Sequence, residues 1–108
     1  MKTLTNVVID DFNSHAINVY FDLDGVEHFA TLSIGSHNFE IVDESFAHEF
    51  GVEKAFGYEF DATLFLTYLE DSEGVEKTLD EDVLVNLKKI VLEGMQEMPR
   101  QDMYEMFH

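Results

Sequence analysis

The segment HAINVYFDLDGVEHFATL, residues 15–32, carries the strongest structural signal in this chain of 108 residues. Between His15 and Leu23 apolar residues recur at every second position, which is typical of a strand with one buried face. Asp24 and Gly25 then supply two residues that tolerate the positive φ angles required at both centres of a type I′ turn. The segment therefore predicts a β-hairpin with a two-residue loop.

The register of this hairpin gathers apolar residues on one face. The inward pairs are Ile17–Leu32, Val19–Ala30, Phe21–His28 and Leu23–Val26. The outward face carries Tyr20 and places Asp22 directly opposite Glu27, with Asp24 at the tip of the loop. Like charges in opposed positions destabilise a strand pair, and no neighbouring residue in the sequence offsets them. We therefore hypothesise that this acidic face has a binding role.

Two further segments extend the hairpin into a sheet of about four strands. Leu4–Phe12, ahead of the hairpin, predicts an antiparallel strand. In residues 58–69 the even positions, from Tyr58 to Tyr68, are all apolar or aromatic. The odd positions, from Glu59 to Leu69, form the opposite face of the strand. This alternation predicts a long fourth strand. A helix that starts at Asp61 is the weaker alternative.

A short helix is predicted after the hairpin. Asp43 is placed to cap it and Gly51 to end it. Apolar residues follow helical spacing at Val42, Phe46 and Phe50. One further turn is expected over residues 52–56.

The main helix is predicted near the carboxy terminus. Thr78 with Glu81 forms a capping box at its start, and Pro99 ends it. Gly94 lies on the apolar face and would permit close approach to the sheet. The other residues of that face are Val83, Leu84, Leu87, Ile90, Val91, Met95 and Met98.

These elements predict an α+β fold, with an antiparallel sheet of about four strands and a short helix and a long C-terminal helix packed on one face. Residues 1–108 are interpreted as a single acidic domain, with a core of residues 1–98 and a C-terminal tail of residues 99–108. The composition supports folding, because 45% of residues are apolar and 13% aromatic, whereas disordered acidic segments are poor in both.

The charge of the chain is strongly unbalanced. There are 23 Asp and Glu against six Lys and Arg, a formal net charge of −17. Such a charge repels itself in the compact state, and it would also repel anionic lipid and nucleic acid. No apolar run approaches the roughly 20 residues that span a bilayer, so we expect a cytoplasmic protein without membrane contact. A basic protein partner is the interpretation that the charge favours.

Candidate partner-binding residues are the acids at strand ends, outward strand positions and loops. For any single acid, capping or edge protection is the more common role, but these roles do not account for the whole set. The set comprises Asp10, Asp11, Asp22, Asp24, Glu27, Glu59, Asp61, Glu70, Asp71, Glu73 and Glu76.

Metal binding and catalysis find little support in the sequence. The run from Asp22 to Gly25 begins like a calcium loop, but the EF-hand needs Gly at loop position six and Glu at position twelve, where this chain has Ser33. The histidines show no zinc-binding spacing, and His28 is expected to lie at the edge of the core. The chain has no cysteine. Neither a nucleophile elbow nor a phosphate-binding glycine loop occurs. We therefore expect no cofactor and no enzymatic activity.

The last residues differ in character from the rest of the chain. The tail contains Met103, Tyr104, Met106 and Phe107, which suit an adaptable contact surface for a homodimer or for a target. The equally weighted alternative is a tail that folds over the core.

By its charge, over residues 1–87, the chain resembles the small acidic DNA-mimic inhibitors that phages and mobile elements direct against restriction, CRISPR and DNA-repair enzymes. The resemblance implies a stoichiometric inhibitor that occupies the basic groove of a nucleic-acid-binding protein and does not bind nucleic acid itself. Two alternatives remain open. An immunity protein or antitoxin would use the same acids to mask one basic toxin, and a haloadapted domain would be acidic without any such partner.

Overall fold

The computed structural model describes residues 3–55 and 57–107 and has an α+β fold with a four-stranded antiparallel sheet and three helices. The strand order is β1-β2-β3-β4, so each strand pairs with its neighbour in the sequence. The elements are β1 (Leu4–Phe12), β2 (Ala16–Leu23), β3 (Val26–Ile41), α1 (Glu44–Phe50), a 3₁₀ turn (Val52–Lys54), β4 (Tyr58–Asp71), α2 (Glu81–Gln96) and α3 (Arg100–Phe107). The predicted fold class and sheet size are confirmed.

The β2–β3 hairpin forms in the predicted register. Asp24 and Gly25 have φ angles of 53° and 82°, as a type I′ turn requires. Asp22 lies opposite Glu27, and Phe21 lies opposite His28. His28 is 8% exposed, its ring stacks on that of Phe21 at 5.5 Å, and its Nδ1 lies 2.8 Å from the Val26 carbonyl oxygen. The prediction of a core-edge histidine is therefore confirmed.

The β3–β4 pair is longer than the sequence indicated, because β3 continues to Ile41. The pairing shifts register between Thr31 and Leu32, where Thr67 of β4 is the unpaired extra residue. Beyond this bulge the faces of β4 exchange, so that Leu69 is 2% exposed and Tyr68 is 38% exposed. The predicted alternation through residue 69, which groups Tyr68 with Phe60 and Leu64 on one face, is therefore wrong beyond Thr67.

A second bulge in the same pair lies at Gly35 and Ser36, which oppose Thr63. The ring of Phe65 covers this glycine, because a Cβ on Gly35 would lie 2.5 Å from Cε2 of Phe65. The backbone of β3 is thus shielded by a ring from the neighbouring strand, an arrangement that offsets the lack of a side chain at a strand glycine.

The start of α2 differs from the sequence prediction, whereas α1 has the predicted Asp43 and Gly51 at its two ends. The N-cap of α2 is Asp80, and neither Asp80 nor Asp43 of α1 makes a side-chain capping bond. The predicted capping box at Thr78 is wrong because the preceding chain stays extended along β4, where the Lys77 amide donates to the Leu69 carbonyl at 2.9 Å. In α1 the buried residue is Ala47, whereas Val42 and Phe50 of the predicted apolar spacing are more than half exposed.

One hydrophobic core cluster combines buried residues of the sheet with the apolar face of α2. The buried residues of this face are Val83, Leu87, Val91 and Met95. Gly94 permits the predicted close approach, since a Cβ at this position would lie 3.0 Å from Cδ1 of Ile9. The Tyr58 hydroxyl donates to the Met98 carbonyl at 2.7 Å and also to the Met95 carbonyl, which ties the end of α2 to β4.

A third helix, α3, follows Pro99 and was not predicted. Met103 is fully buried and Phe107 is 7% exposed. The Phe107 ring packs at 4.7 Å from Phe60 and 6.1 Å from Phe12. These contacts correspond to the alternative in which the tail folds over the core. No helix within residues 3–55 and 57–107 has the length and apolar character needed to cross a membrane.

Candidate interaction surface on the outer face of the sheet

The sheet has one buried face and one open face. In β2, Val19 is fully buried and Phe21 is 1% exposed, while Tyr20 between them is 40% exposed. Residues that share the side of Tyr20 by their pairing register form what we call the outer face. It contains most of the candidate binding residues that the structure brings together.

An apolar row crosses the outer face from strand to strand. Val8 pairs with Tyr20, and Tyr20 pairs with Phe29. The Tyr20 and Phe29 rings lie 5.1 Å apart, and the Phe29 and Tyr68 rings 6.4 Å apart. Val8 is 58% exposed, and Tyr20 and Tyr68 are about two-fifths exposed. We call these four residues the outer apolar row.

Three acids lie beside the outer apolar row, and we call them the hairpin-end carboxylates: Asp22, Glu27 and Glu70. Asp22 pairs with Glu27, and Glu70 pairs with Phe29. Each acid lies two positions along a strand from a ring of the outer apolar row, on the same face, which is a spacing of about 7 Å. Three neighbouring strands therefore each present one ring and one carboxylate.

Neutral groups supply the visible partners of these acids. Asn6 donates its side-chain amide to Asp22 at 2.7 Å, from a β1 bulge in which Asn6 has a φ of 53°. The Tyr68 hydroxyl donates to Glu70 at 2.6 Å. This hydrogen bond, together with the negative charges of Glu70 and Glu76, raises the pKa of Tyr68. Asp24 at the loop tip accepts the Thr3 backbone amide at 2.7 Å.

A second acidic group lies at the opposite end of the outer face, and we call it the distal carboxylates: Glu40, Glu59 and Asp61. Glu40 pairs directly with Glu59, which is another opposition of like charges. Glu40 was not among the predicted binding residues, because its position opposite Glu59 follows only from the full length of β3. Glu70 lies nine positions after Asp61 along β4, a distance of roughly 30 Å at ~3.3 Å per residue.

Of the remaining predicted acids, Asp11 and Glu76 pair with the outer-face residues Asn18 and Glu70, whereas Asp10 and Glu73 are exposed at a bulge and a turn. Asp11, on β1, accepts the Asn18 side-chain amide at 2.7 Å. The pairing of Glu76 with Glu70 is an isolated bridge, and Glu73 lies in the turn after β4.

Asp71 organises the turn after β4 and does not belong to the outer face. It accepts the backbone amides of Val75 and Glu73 at 3.0 and 2.9 Å, and its carboxylate lies 3.5 Å from the Lys77 ammonium. The pKa of Asp71 is lowered chiefly by the hydrogen bond from the Val75 amide. The Glu73 amide and the Lys77 ammonium lower it further. Its role in the turn is therefore structural.

Cationic partners are scarce across the part of the chain that the structure describes. The ion pair between Lys77 and Asp71 is the one found there within 4.0 Å. Among these described residues, neither the hairpin-end nor the distal carboxylates meet an ammonium or guanidinium group within that distance. Within the same residues, no group of three or more His, Asp or Glu is arranged to hold a metal ion.

The predicted contact residues of the tail do not form a common exposed surface. Met103 and Phe107 are buried, and Met106 is half-buried against the core. Tyr104 lines an open cleft between α1 and β3 and is itself held by interactions within the chain.

No family model, curated protein or solved structure matches this chain.

Proposed function

We propose that this protein is an acidic nucleic-acid mimic that inhibits a basic nucleic-acid-binding protein by occupying its groove. The observation that carries the proposal is the pair of outer-face carboxylate groups, which lie at opposite ends of the sheet and meet no cation within ion-pair distance among the described residues. A net charge of −17 accompanies them. Carboxylates left without an internal counter-ion are available to the lysines and arginines of another protein.

The chemistry of such a groove suits this surface. Lysine and arginine that contact phosphate form charge-assisted hydrogen bonds with carboxylate equally well. The molecule measures 49 × 22 × 21 Å. Its long axis corresponds to about 14 base pairs of duplex at ~3.4 Å per pair. The negative field would accelerate association with a basic target at low salt.

In this function the helices, including the long α2, cover the buried face of the sheet and leave the outer face for the target. The inhibitor acts by stoichiometric occupation, without catalysis or a cofactor. Its targets are DNA- or RNA-processing enzymes of a bacterial cytoplasm, such as a CRISPR effector or a restriction enzyme.

A competition assay tests the proposal. Immobilised protein is exposed to bacterial lysate cleared of nucleic acid, and each retained protein is purified and loaded with a labelled oligonucleotide. We expect the acidic protein to displace the oligonucleotide, to bind more weakly as ionic strength rises, and to show no affinity for the free oligonucleotide.

Two variants of equal net charge make the assay specific. One neutralises the hairpin-end carboxylates through Asp22→Asn, Glu27→Gln and Glu70→Gln. The control neutralises exposed acids of α2, its C-cap and α3 through Glu93→Gln, Glu97→Gln and Glu105→Gln. The first variant should compete less well than the control, since the two differ only in where charge is lost.

Three outcomes would reject nucleic-acid mimicry. The first is a target that keeps its oligonucleotide fully bound while it binds the acidic protein. The second is retention of a single toxin whose activity is masked without competition for nucleic acid, which indicates an immunity protein. The third is a stability that rises steeply in molar salt with no basic protein retained, which indicates a haloadapted domain.

A further inference from the structure

The outer apolar row is exposed on the same face as the carboxylates. Binding by negative charge alone would not require these apolar side chains. Its Tyr20 and Tyr68 rings flank Phe29, and the planes of neighbouring rings are tilted by 54° and 59°. Aromatic rings that stay exposed in a contiguous patch mark interaction sites. The neighbouring carboxylates restrict which kind of partner can use this one.

We propose that the outer apolar row and the hairpin-end carboxylates together form a binding site for arginine side chains of a basic protein partner. The inference rests on the proposed function only in requiring that the partner be basic. It adds a preference for arginine over lysine, and it places the centre of the contact at Tyr20, Phe29 and Tyr68.

The shape of the guanidinium group favours arginine at this surface. This group is planar, so its face can stack on an aromatic ring while its edge donates hydrogen bonds to a carboxylate. On each of β2, β3 and β4 a ring and a carboxylate lie about 7 Å apart on the same face. A lysine ammonium is a strongly hydrated point charge, and it gains less from the ring.

Glu70 is already oriented for this role. Its Oε2 accepts the Tyr68 hydroxyl at 2.6 Å, which holds the carboxylate at the end of the ring and leaves Oε1 for a donor from outside. Asp22 is similarly held on one side by the Asn6 amide. Preorganised acceptors beside exposed rings reduce the loss of side-chain entropy when a partner binds.

The charge of this face disfavours two other partners, a second copy of the chain and a purely apolar protein. A second copy of this chain would bring another net charge of −17 against the same carboxylates. A purely apolar partner would bury these acids without a counter-ion, and the desolvation of each unpaired charge opposes such binding. A cationic partner avoids both penalties.

The test uses two labelled peptides of equal length and charge, one of alternating arginine and glycine and one of alternating lysine and glycine. Anisotropy titrations of the intact protein at low salt should show tighter binding of the arginine peptide by about two- to five-fold, the range expected of a cation–π contact at an exposed site. Tyr20→Leu and Tyr68→Leu should each reduce this preference while thermal unfolding shows an intact fold.

Two matched variants test whether the arginine preference depends on a ring beside the hairpin-end carboxylates, and not on any exposed ring or on the Tyr68 hydroxyl. Phe65→Leu removes a ring that is 52% exposed on the same face but lies away from the hairpin-end carboxylates, and it should keep the arginine preference. Tyr68→Phe keeps the ring while losing the hydroxyl bond to Glu70, and it should retain more of the preference than Tyr68→Leu.

Equal affinity for the two peptides would overturn the inference, as would an equal loss of preference in Phe65→Leu. Self-association of the wild type that disappears in Tyr20→Leu would assign the row to a second copy instead. The peptide assay contains no nucleic acid and no target. An arginine preference can therefore persist when oligonucleotide competition fails, and competition can persist without the preference.

Discussion

Asp22 lies directly opposite Glu27 in the β2–β3 hairpin, and the one hydrogen bond found for this pair of side chains within the described residues is the neutral Asn6 amide that donates to Asp22 at 2.7 Å. The repulsion between the two carboxylates is therefore only partly relieved inside the molecule. An opposed pair of like charges lowers the free energy of unfolding by roughly 0.2–1 kcal/mol. The hairpin tolerates it because Phe21 and Leu23 anchor the other face in the core.

Glu27→Gln should stabilise the protein. The substitution removes the repulsion with Asp22 and leaves the Asn6 bond intact, so we expect the free energy of unfolding to rise by about 0.2–1 kcal/mol at low salt. Denaturant unfolding at low salt and at 1 M salt measures this, and the gain should shrink at 1 M, where the screening length is ~3 Å. Glu73→Gln, in an exposed turn, is the control with the same loss of charge. A lower stability for Glu27→Gln would give Glu27 a structural role.

Val19→Asp and Tyr20→Ser should differ sharply although the residues are adjacent. Val19 is fully buried, and an unpaired carboxylate there costs several kcal/mol, which is enough to unfold a domain of this size. Tyr20 is 40% exposed, and its loss should cost about 1 kcal/mol through the contact with Phe29. Circular dichroism and denaturant unfolding measure both variants. The opposite ranking would contradict the hairpin register.

Truncation after Arg100 should lower the stability of the protein without changing its oligomeric state. The cut removes Met103 and Phe107 from the core, and large-to-small changes at such positions cost about 2–5 kcal/mol each. Sedimentation and thermal unfolding of the truncated chain, with Glu105→Ala in the full chain as an exposed control, provide the measurements. Loss of a dimer with unchanged stability would instead support the contact tail predicted from the sequence.

Asp71 should contribute stability at neutral pH that is lost in acid. Its pKa is lowered in the folded state by the amides of Val75 and Glu73 and by Lys77. A group with a lowered folded pKa stabilises the fold above its unfolded pKa of about 3.9, and this contribution disappears as the pH falls through the folded value. Asp71→Asn should therefore be less stable than the wild type at pH 7.

The stability difference between Asp71→Asn and the wild type should shrink progressively below about pH 4. Glu73→Gln, whose side chain is exposed in the same turn, should show no such convergence. Unfolding curves across the acid range measure the difference directly. A constant difference between Asp71→Asn and the wild type would show that the carboxylate charge does not stabilise the turn.

Local patterns predicted the central hairpin and the inner face of α2 correctly. Asp24 and Gly25 determine the turn by their own backbone preferences, and the turn then sets the register of every pair up to Ile17 and Leu32. The stripe of α2 residues follows from helical periodicity, and Val83, Leu87 and Met95 are buried as that period requires. The opposition of Asp22 and Glu27 was predictable for the same reason.

The candidate surface was predicted only in part. Asp22, Glu27 and the outward side of Tyr20 followed from the hairpin register, but the outer apolar row depends on Phe29 and Tyr68 meeting across β3 and β4. The bulge at Thr67 rotates Tyr68 outward, and a bulge leaves no trace in the alternation of a single strand. Glu40 was missed because nothing before Ile41 shows where β3 ends.

What the sequence by itself determined is the acidic charge, the hairpin and the amphipathic α2, because each depends on composition or on residues close together in the chain. Tertiary structure alone decided that Tyr68 faces outward, that Leu69 faces the core and that Phe107 packs against Phe60 and Phe12. These outcomes depend on which distant strand pairs with which residue and on the space left between them. A bulge or an aromatic contact forms where the packing of the whole sheet requires it, so no short window of the chain contains the information.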